Sequence, residues 1–207
     1  MGNEIEADAE TIAVYDERGD DYARMVEGAA QTPGLTSFME LVTPSGTVLD
    51  LGCGPGGTSA ILRDRGFAVT AVDASSQMIK LAGGIGGITV RQASFEDAFP
   101  ASAYDGIWAS FSLLHAPRAR LPVLIGKFAG CLRDGGIFHI GMKTAMKDRH
   151  GEGRDKLGRY YAYYSRDELL AMFAACGLPL VREFAGEGSG LSGETSQWIE
   201  IQARKIV

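Results

Sequence analysis

The stretch that most constrains how this chain folds is Thr47 to Gly57, T-V-L-D-L-G-C-G-P-G-G. A short apolar run of Val48, Leu49 and Leu51, interrupted by Asp50, gives way to closely spaced glycines and a proline. Thr58 to Arg65 then has helical character. Strand, glycine turn and helix, in that order, make a nucleotide-binding βα unit of a parallel sheet. Glycines permit positive φ and let a ligand approach the backbone where a Cβ would collide. The first amides of the following helix point at that ligand.

Two cofactor classes use this device. Gly52-x-Gly54-x-x-Gly57 satisfies the dinucleotide spacing, which is weak evidence taken alone. Asp50 separates the two classes better. At the carboxyl end of a buried strand it would repel a pyrophosphate, but it suits a ligand that brings a cation to the turn. S-adenosylmethionine does so through its ammonium group. The structural alternative is an aspartate that caps its own loop. V-L-D-L-G-C-G-P-G-G resembles the first motif of the class I S-adenosylmethionine-dependent methyltransferases.

That resemblance runs from about Thr47 to the C-terminus. It implies an α/β fold: a doubly wound, Rossmann-like, seven-stranded mixed sheet with an antiparallel last strand. Residues 1–46 are expected to form an N-terminal helical lid segment. Residues 47–207 are expected to form the cofactor-binding part of what is one structural domain. S-adenosyl-L-methionine is the implied cofactor and S-adenosyl-L-homocysteine the implied product.

Composition narrows the partners. A length of 207 residues suits one domain. With 20 basic and 26 acidic residues the formal net charge is −6. This weighs against a nucleic acid or an anionic membrane surface as the main partner. Cys53, Cys131 and Cys176 lie far apart without a C-x-x-C and read as buried thiols in a reducing compartment. The acidic N-terminus is not a signal peptide. Glu6 stands where a myristoylation signal needs Ser or Thr. The longest apolar run, Leu169 to Val181, is too short for a bilayer and contains Gly177 and Pro179. A cytoplasmic protein is expected. His150 has no second His or Cys at ligand spacing, so no metal site is expected.

Along the chain, residues 8–31 read as helical, with Gly19 a possible interruption and Pro33-Gly34 the end. Tyr15 and Tyr22, two turns apart, share a face if the helix is continuous. They cover cofactor or substrate, or else pack on the sheet. Leu35 to Val42 is a second short helix. Phe67 to Val72 is a strand ending at Asp73, about 20 residues beyond Gly52 and in reach of a ribose diol. Ala74 adjoins it, and Ser75 caps a helix whose Met78 either lies on the adenine or packs in the core. After the strand Ile88 to Gln92 come Ser94 and Phe95, where the family holds adenine, often through an acidic residue. Ser94 departs from that pattern, leaving Glu96 and Asp97 as the nearby carboxylates.

Tyr104 to Ala109 is the fourth strand. Ala109-Ser110-Phe111-Ser112 is not the [N/D]-P-P-[Y/F] of amino-group methyltransferases that act on nucleic acids or protein glutamine. S-L-L-H followed by Pro117-Arg118 resembles small-molecule members, including the tellurite-resistance-like methyltransferases. His115, at a strand tip, is a candidate general base or a hydrogen-bonded structural histidine. A helix at Pro122 to Leu132 and a strand at Ile137 to Met142 follow. Thr144 to Gly158, dense in charge and glycine, leads into Arg159-Tyr160-Tyr161-Ala162-Tyr163-Tyr164. This insertion is expected to recognise substrate, with Tyr160 and Tyr161 as candidate contacts. Ser165-x-x-Glu168 is a capping box opening the helix Asp167 to Cys176. Leu178 to Phe184 reads as a strand, and Gln197 to Ala203 alternates as an antiparallel strand near an edge does.

The resemblance implies SN2 transfer of a methyl group to an O, S, N or metalloid nucleophile of a small-molecule acceptor. Alignment carries most of such a reaction, and effective molarity contributes roughly 7–11 kcal/mol. The expected cofactor contacts are Asp50, Gly52, Cys53, Gly54, Asp73, Ala74, Met78, Ser94, Phe95, Ala109 and Tyr22. His115, Tyr15, Tyr160 and Tyr161 are the candidates facing substrate. Two alternatives remain: a non-catalytic module that binds S-adenosylmethionine, and an NAD-dependent dehydrogenase, against which Asp50 counts.

Overall fold

The computed structural model describes residues 8–28, 31–144 and 150–206. Three short helices, α1 (Ala9–Glu17), α2 (Gly19–Val26) and α3 (Pro33–Leu41), precede the first strand. The chain then alternates through β1 (Thr47–Leu51), α4 (Gly57–Asp64), β2 (Ala68–Asp73), α5 (Ser76–Ala82), β3 (Thr89–Gln92) and β4 (Tyr104–Ser110). It continues through α6 (Leu121–Cys131), β5 (Leu132–Lys143), a hairpin of β6 (Gly151–Arg154) and β7 (Tyr160–Tyr163), α7 (Arg166–Ala175), β8 (Leu180–Ser189) and β9 (Thr195–Arg204). Seven of these strands form one sheet in the order β3-β2-β1-β4-β5-β9-β8. The first five are parallel, and β9 is antiparallel to both its neighbours. This is the expected seven-stranded mixed sheet. The strand order reverses between β1 and β4, and in such sheets ligands bind at the carboxyl ends of the strands flanking that point.

Alternation along each strand divides the core. Leu49, Leu51, Ile107, Phe138 and Ile140 meet Leu124 and Phe128 of α6 and Leu169 and Phe173 of α7 on one face. Val48, Trp108 and Ile137 meet Leu35, Phe38 and Val42 from α3 and its end on the other. Helices therefore cover both faces, as a parallel sheet requires. α3 belongs to this core rather than lying over it. The capping box is formed, with Ser165 accepting from the Glu168 amide while Glu168 accepts from the Ser165 amide.

Several expectations shift. The chain breaks at Arg18, so Tyr15 and Tyr22 lie on separate helices. Of the charged insertion, residues 145–149 lie outside the described residues. From Gly151 onward it forms the β6–β7 hairpin, with Gly151 opposite Tyr163 and Arg154 opposite Tyr160. The glycine-rich loop after Phe184 partly continues β8 to Ser189, with Trp198 lying across Gly186 and Gly188. β9 is one strand in from the edge, and its Glu200 and Gln202 side chains are covered by α3 rather than by water. Among the described residues no helix is long and apolar enough to cross a membrane. Cys53, Cys131 and Cys176 are all unpaired.

At the centre of the second core face, a Cβ on Gly106 would lie 2.7 Å from Phe38 Cζ and 2.8 Å from Val42 Cγ2. Gly106→Ala is therefore expected to destabilise the fold by about 1–3 kcal/mol through overpacking, read by urea denaturation.

Candidate active site

The glycine turn is fixed from three sides. Gly52 (φ +76°) donates to the Val72 carbonyl at 2.8 Å, and a Cβ there would overlap Ser112. Ser112 Oγ in turn donates to the Leu51 carbonyl at 2.6 Å. Gly54 (φ +54°) donates its amide to the Asp73 carboxylate at 2.9 Å, with the Tyr22 ring 3.3 Å from where a Cβ would stand. The other Asp73 oxygen accepts the Ser75 amide at 2.9 Å. Burial raises the pKa of Asp73, and the bonds from Ser75 and Gly54 oppose that rise. A carboxylate offers about four acceptor positions, so acceptor capacity remains for a ligand beyond the backbone amides of Gly54, Ala74 and Ser75.

Gly52, Gly54, Asp73, Ala74, Met78, Ser94, Phe95 and Tyr22 border one narrow cavity of about 100 Å³. Asp50, Cys53 and Ala109 do not line it. Asp50 lies beneath the turn and accepts from Ser59 Oγ of α4 at 2.6 Å. Burial pushes its carboxyl up to about 7; the Ser59 bond opposes this and the charge of Asp73 adds to it. Cys53 packs with Ala71 and Ala82. Ala109 is interior to the sheet, opposite Ile140. Asp97 holds its own loop, accepting from the Ser94 amide and hydroxyl, and Glu96 pairs with Arg120.

Helices α1 and α2 close over these tips. Asp16 of α1 accepts from Ser75 Oγ at 2.7 Å and from the Gln77 amide at 3.1 Å. Asp8 pairs with Arg154 at 2.7 Å, and Thr11 Oγ1 accepts the Tyr160 amide at 2.8 Å. Although the helices are separate, the Tyr15 and Tyr22 rings meet edge to face at 5.3 Å.

His115 ends a 3-10 turn, and both its ring nitrogens are engaged. Nδ1 is 2.6 Å from the Tyr160 carbonyl, which can only accept, so Nδ1 carries the proton. Nε2 therefore accepts from the Tyr15 hydroxyl at 3.0 Å. The Tyr15 oxygen accepts from Arg159 at 2.9 Å, and Arg159 forms two bonds to Asp155, at 2.6 and 3.0 Å. Burial pushes His115 down to about 4; the bond to Tyr160 opposes this and the Arg159 charge reinforces it. His115 is thus neutral, with the Tyr15 hydroxyl donating to its Nε2.

A wider cavity of about 520 Å³ lies beyond this relay. Tyr15, Tyr22, Phe111 and His115 border both cavities and form the wall between them. Tyr161, Leu114 and Trp198 give the wider one an apolar lining, with Lys143, Arg159 and Glu200 as its charged groups. Phe111 sits at φ +55°, a conformation costly for a bulky side chain and commonest where function requires it. Tyr161 reaches this cavity. The Tyr160 hydroxyl instead donates to Glu152 and accepts the Arg118 amide, so Tyr160 serves the site through its carbonyl. Sequence reading did not single out Phe111, Trp198, Lys143, Arg159 or Glu200. The one local signal was Glu200 within an alternating strand.

The geometry defines a Rossmann-like α/β protein with a nucleotide-type cleft beside an apolar cavity. More narrowly, the chain belongs to the methyltransferase-domain family, whose model matches residues 23–183. Over 131 residues, 60% of the chain, it is 33% identical to 2-methyl-6-phytyl-1,4-hydroquinone methyltransferase of Synechocystis sp.. The chain spans 39% of that relative's length. It superposes with a TM-score of 0.77 on Burkholderia thailandensis 1,6-didemethyltoxoflavin-N1-methyltransferase, solved with 1,6-didemethyltoxoflavin and S-adenosylhomocysteine bound. That match has 20% identity and covers 96% of this chain and 88% of the other. An S-adenosylmethionine-dependent methyltransferase of Methanosarcina mazei gives a TM-score of 0.72 at 18% identity, covering 86% and 99%. At such identities these two structures share the fold. The dehydrogenase alternative gains no support from them.

Two variants probe the buried charges. Asp155→Ala strands the Arg159 guanidinium and is expected to cost about 3–5 kcal/mol in chemical denaturation. Burial holds the folded Asp50 carboxyl at about 7, well above the ordinary carboxylate range. Its contribution to stability is therefore full below about pH 4 and lost as pH rises toward 7. The melting temperature of Asp50→Asn relative to wild type is thus expected to rise between pH 5 and pH 8. A difference that does not change with pH would show that the carboxyl is not held protonated.

Proposed function

We propose that this chain transfers a methyl group from S-adenosyl-L-methionine to a small-molecule nucleophile. The observation that carries this reading is the pair of cavities at the strand tips, separated only by Tyr15, Tyr22, Phe111 and His115. The narrow cavity takes the cofactor and the wide one the acceptor. The relatives support this assignment: one is named for methylating a hydroquinone, and one was solved with S-adenosylhomocysteine and a small heterocycle bound.

The residues fit such a cofactor. Asp73 has acceptor positions to spare for a ribose diol. The backbone at Gly52 and Gly54 is open to close approach, and Met78, Ala74, Ser94 and Phe95 surround the place for adenine. When bound, S-adenosylmethionine supplies a methyl group already activated on a sulfonium. The protein then aligns the acceptor and excludes water. The Tyr15 and Tyr22 rings favour positive charge at the seam between the cavities. The Tyr15 hydroxyl and the neutral His115 ring at this wall orient the acceptor, since a histidine held at about 4 is too weak a base to keep its proton near neutrality. Residues ahead of β1, chiefly α1 and α2, act as the lid. We assign the reaction to the cytoplasm, consistent with three unpaired cysteines.

Calorimetric titration with S-adenosylmethionine, S-adenosylhomocysteine and NAD in parallel tests the cofactor. Micromolar binding of the first two and none of NAD is expected; binding of NAD alone overturns the reading. Asp73→Asn is expected to weaken binding about tenfold or more, the scale of a hydrogen bond to a charged group. Unchanged affinity would remove Asp73 from the ribose role.

A further inference from the structure

The wider cavity holds a carboxylate that the fold leaves without a partner. Glu200 of β9 is 4% exposed, and among the described residues no donor or cation bonds to it. Its cross-strand neighbours are Gly141 and Phe184, neither of which offers a side-chain donor. It presses against the first turn of α3, where a Cβ on Gly34 would overlap its carboxylate. That turn does not cap it. Pro33 lacks an N–H, the Leu35 amide is taken by Thr32 Oγ1 at 3.0 Å, the Thr36 amide by the Thr32 carbonyl at 3.0 Å, and the Gly34 amide makes no hydrogen bond to Glu200. The two cations on the cavity wall are directed elsewhere. Arg159 bonds Asp155 and Tyr15, and Lys143 Nζ lies over the Tyr161 ring at 4.2 Å.

A buried carboxylate without a donor is costly, and the cost falls when a ligand supplies one. Burial alone raises the Glu200 pKa to about 7, as expected of a group isolated in the free protein. The rest of the cavity favours flat apolar ligands, since Trp198, Phe111, Tyr161, Tyr15 and Tyr22 present rings to it.

Building on the acceptor role assigned above to the wider cavity, we propose that Glu200 selects the acceptor. Its carboxylate receives the N–H of a protonated or donor nitrogen on a flat aromatic molecule lodged between those rings. Glu200 thereby sets which end of the acceptor faces the shared wall, and specificity is written from β9 rather than from the glycine turn.

The test is calorimetry on the full chain, with and without S-adenosylhomocysteine. The probes are 4-aminoquinoline, a flat protonated base, and naphthalene-1-carboxylate, an acid of similar size. Wild type is expected to prefer 4-aminoquinoline. E200Q, nearly isosteric, is expected to weaken that binding about tenfold or more. It should leave S-adenosylhomocysteine affinity unchanged and should not lower the melting temperature, because it removes an unpartnered charge. The proposal is overturned if 4-aminoquinoline fails to bind wild type or binds both proteins equally, if the acid is preferred, or if E200Q melts lower. Absence of S-adenosylhomocysteine binding alongside discrimination at Glu200 would reject the cofactor assignment and leave the recognition site standing.

Discussion

A guanidinium almost sealed from water sets the arrangement of the site. Arg159 is 1% exposed, and a lone charge in that position would cost several kcal/mol. Asp155 neutralises it, and a further N–H of the guanidinium donates to the Tyr15 oxygen. That bond forces the tyrosine proton toward His115, so Nε2 must accept and Nδ1 must donate to the Tyr160 carbonyl. One buried charge thus fixes a histidine tautomer and clasps α1 to the β6–β7 hairpin. The wall between the cavities is therefore held by directional bonds as well as by packing.

The two halves of the site differ in how far apart in sequence their parts lie. In the function proposed above, the cofactor half is local. Turn, helix N-terminus and Asp73 belong to consecutive βα units, and their positions follow from glycine conformations and the pairing of β1 with β2. The acceptor half draws on α1, α2, the turn at His115, the hairpin and the β8–β9 pair, which meet only in the finished fold. Alkyl transfer from an activated donor needs alignment more than any particular side chain. The local half can therefore stay generic while the distant parts determine which molecule is aligned.

That difference explains what could be read in the sequence. The glycine turn, the Asp73 position and the capping box are written in short patterns; the seven-stranded sheet followed from the family resemblance of V-L-D-L-G-C-G-P-G-G, and Asp50 within that motif suggested the cofactor class. Asp50 was legible as a buried carboxylate, but its partner was not. Ser59 faces it across the turn, so it contacts α4 rather than the cavity. The hairpin was hidden because Gly-Glu-Gly-Arg has no strand pattern of its own and is held by Tyr160–Tyr163 and by α1. Tyr160 and Tyr161 read as equals in sequence. Alternation across a strand sends one ring into the cavity and the other toward Glu152.

β9 carries the clearest lesson. Its alternating pattern reads as one face in the core and one in water. In the structure α3 lies on the supposed wet face, and Gln202 there is fully satisfied. It accepts from Ser37 Oγ at 2.6 Å and donates to the Gly34 carbonyl at 2.6 Å. Two residues earlier on the same face, beside the same helix, Glu200 has no partner. The fold is thus able to supply partners to polar groups at this interface, and does so at Gln202. Opposite Glu200 the sheet instead presents Gly141, which has no side chain to donate and is packed against Phe111 and Ser110. A carboxylate left without a protein partner at the edge of an aromatic cavity is the group there that a ligand donor would complete.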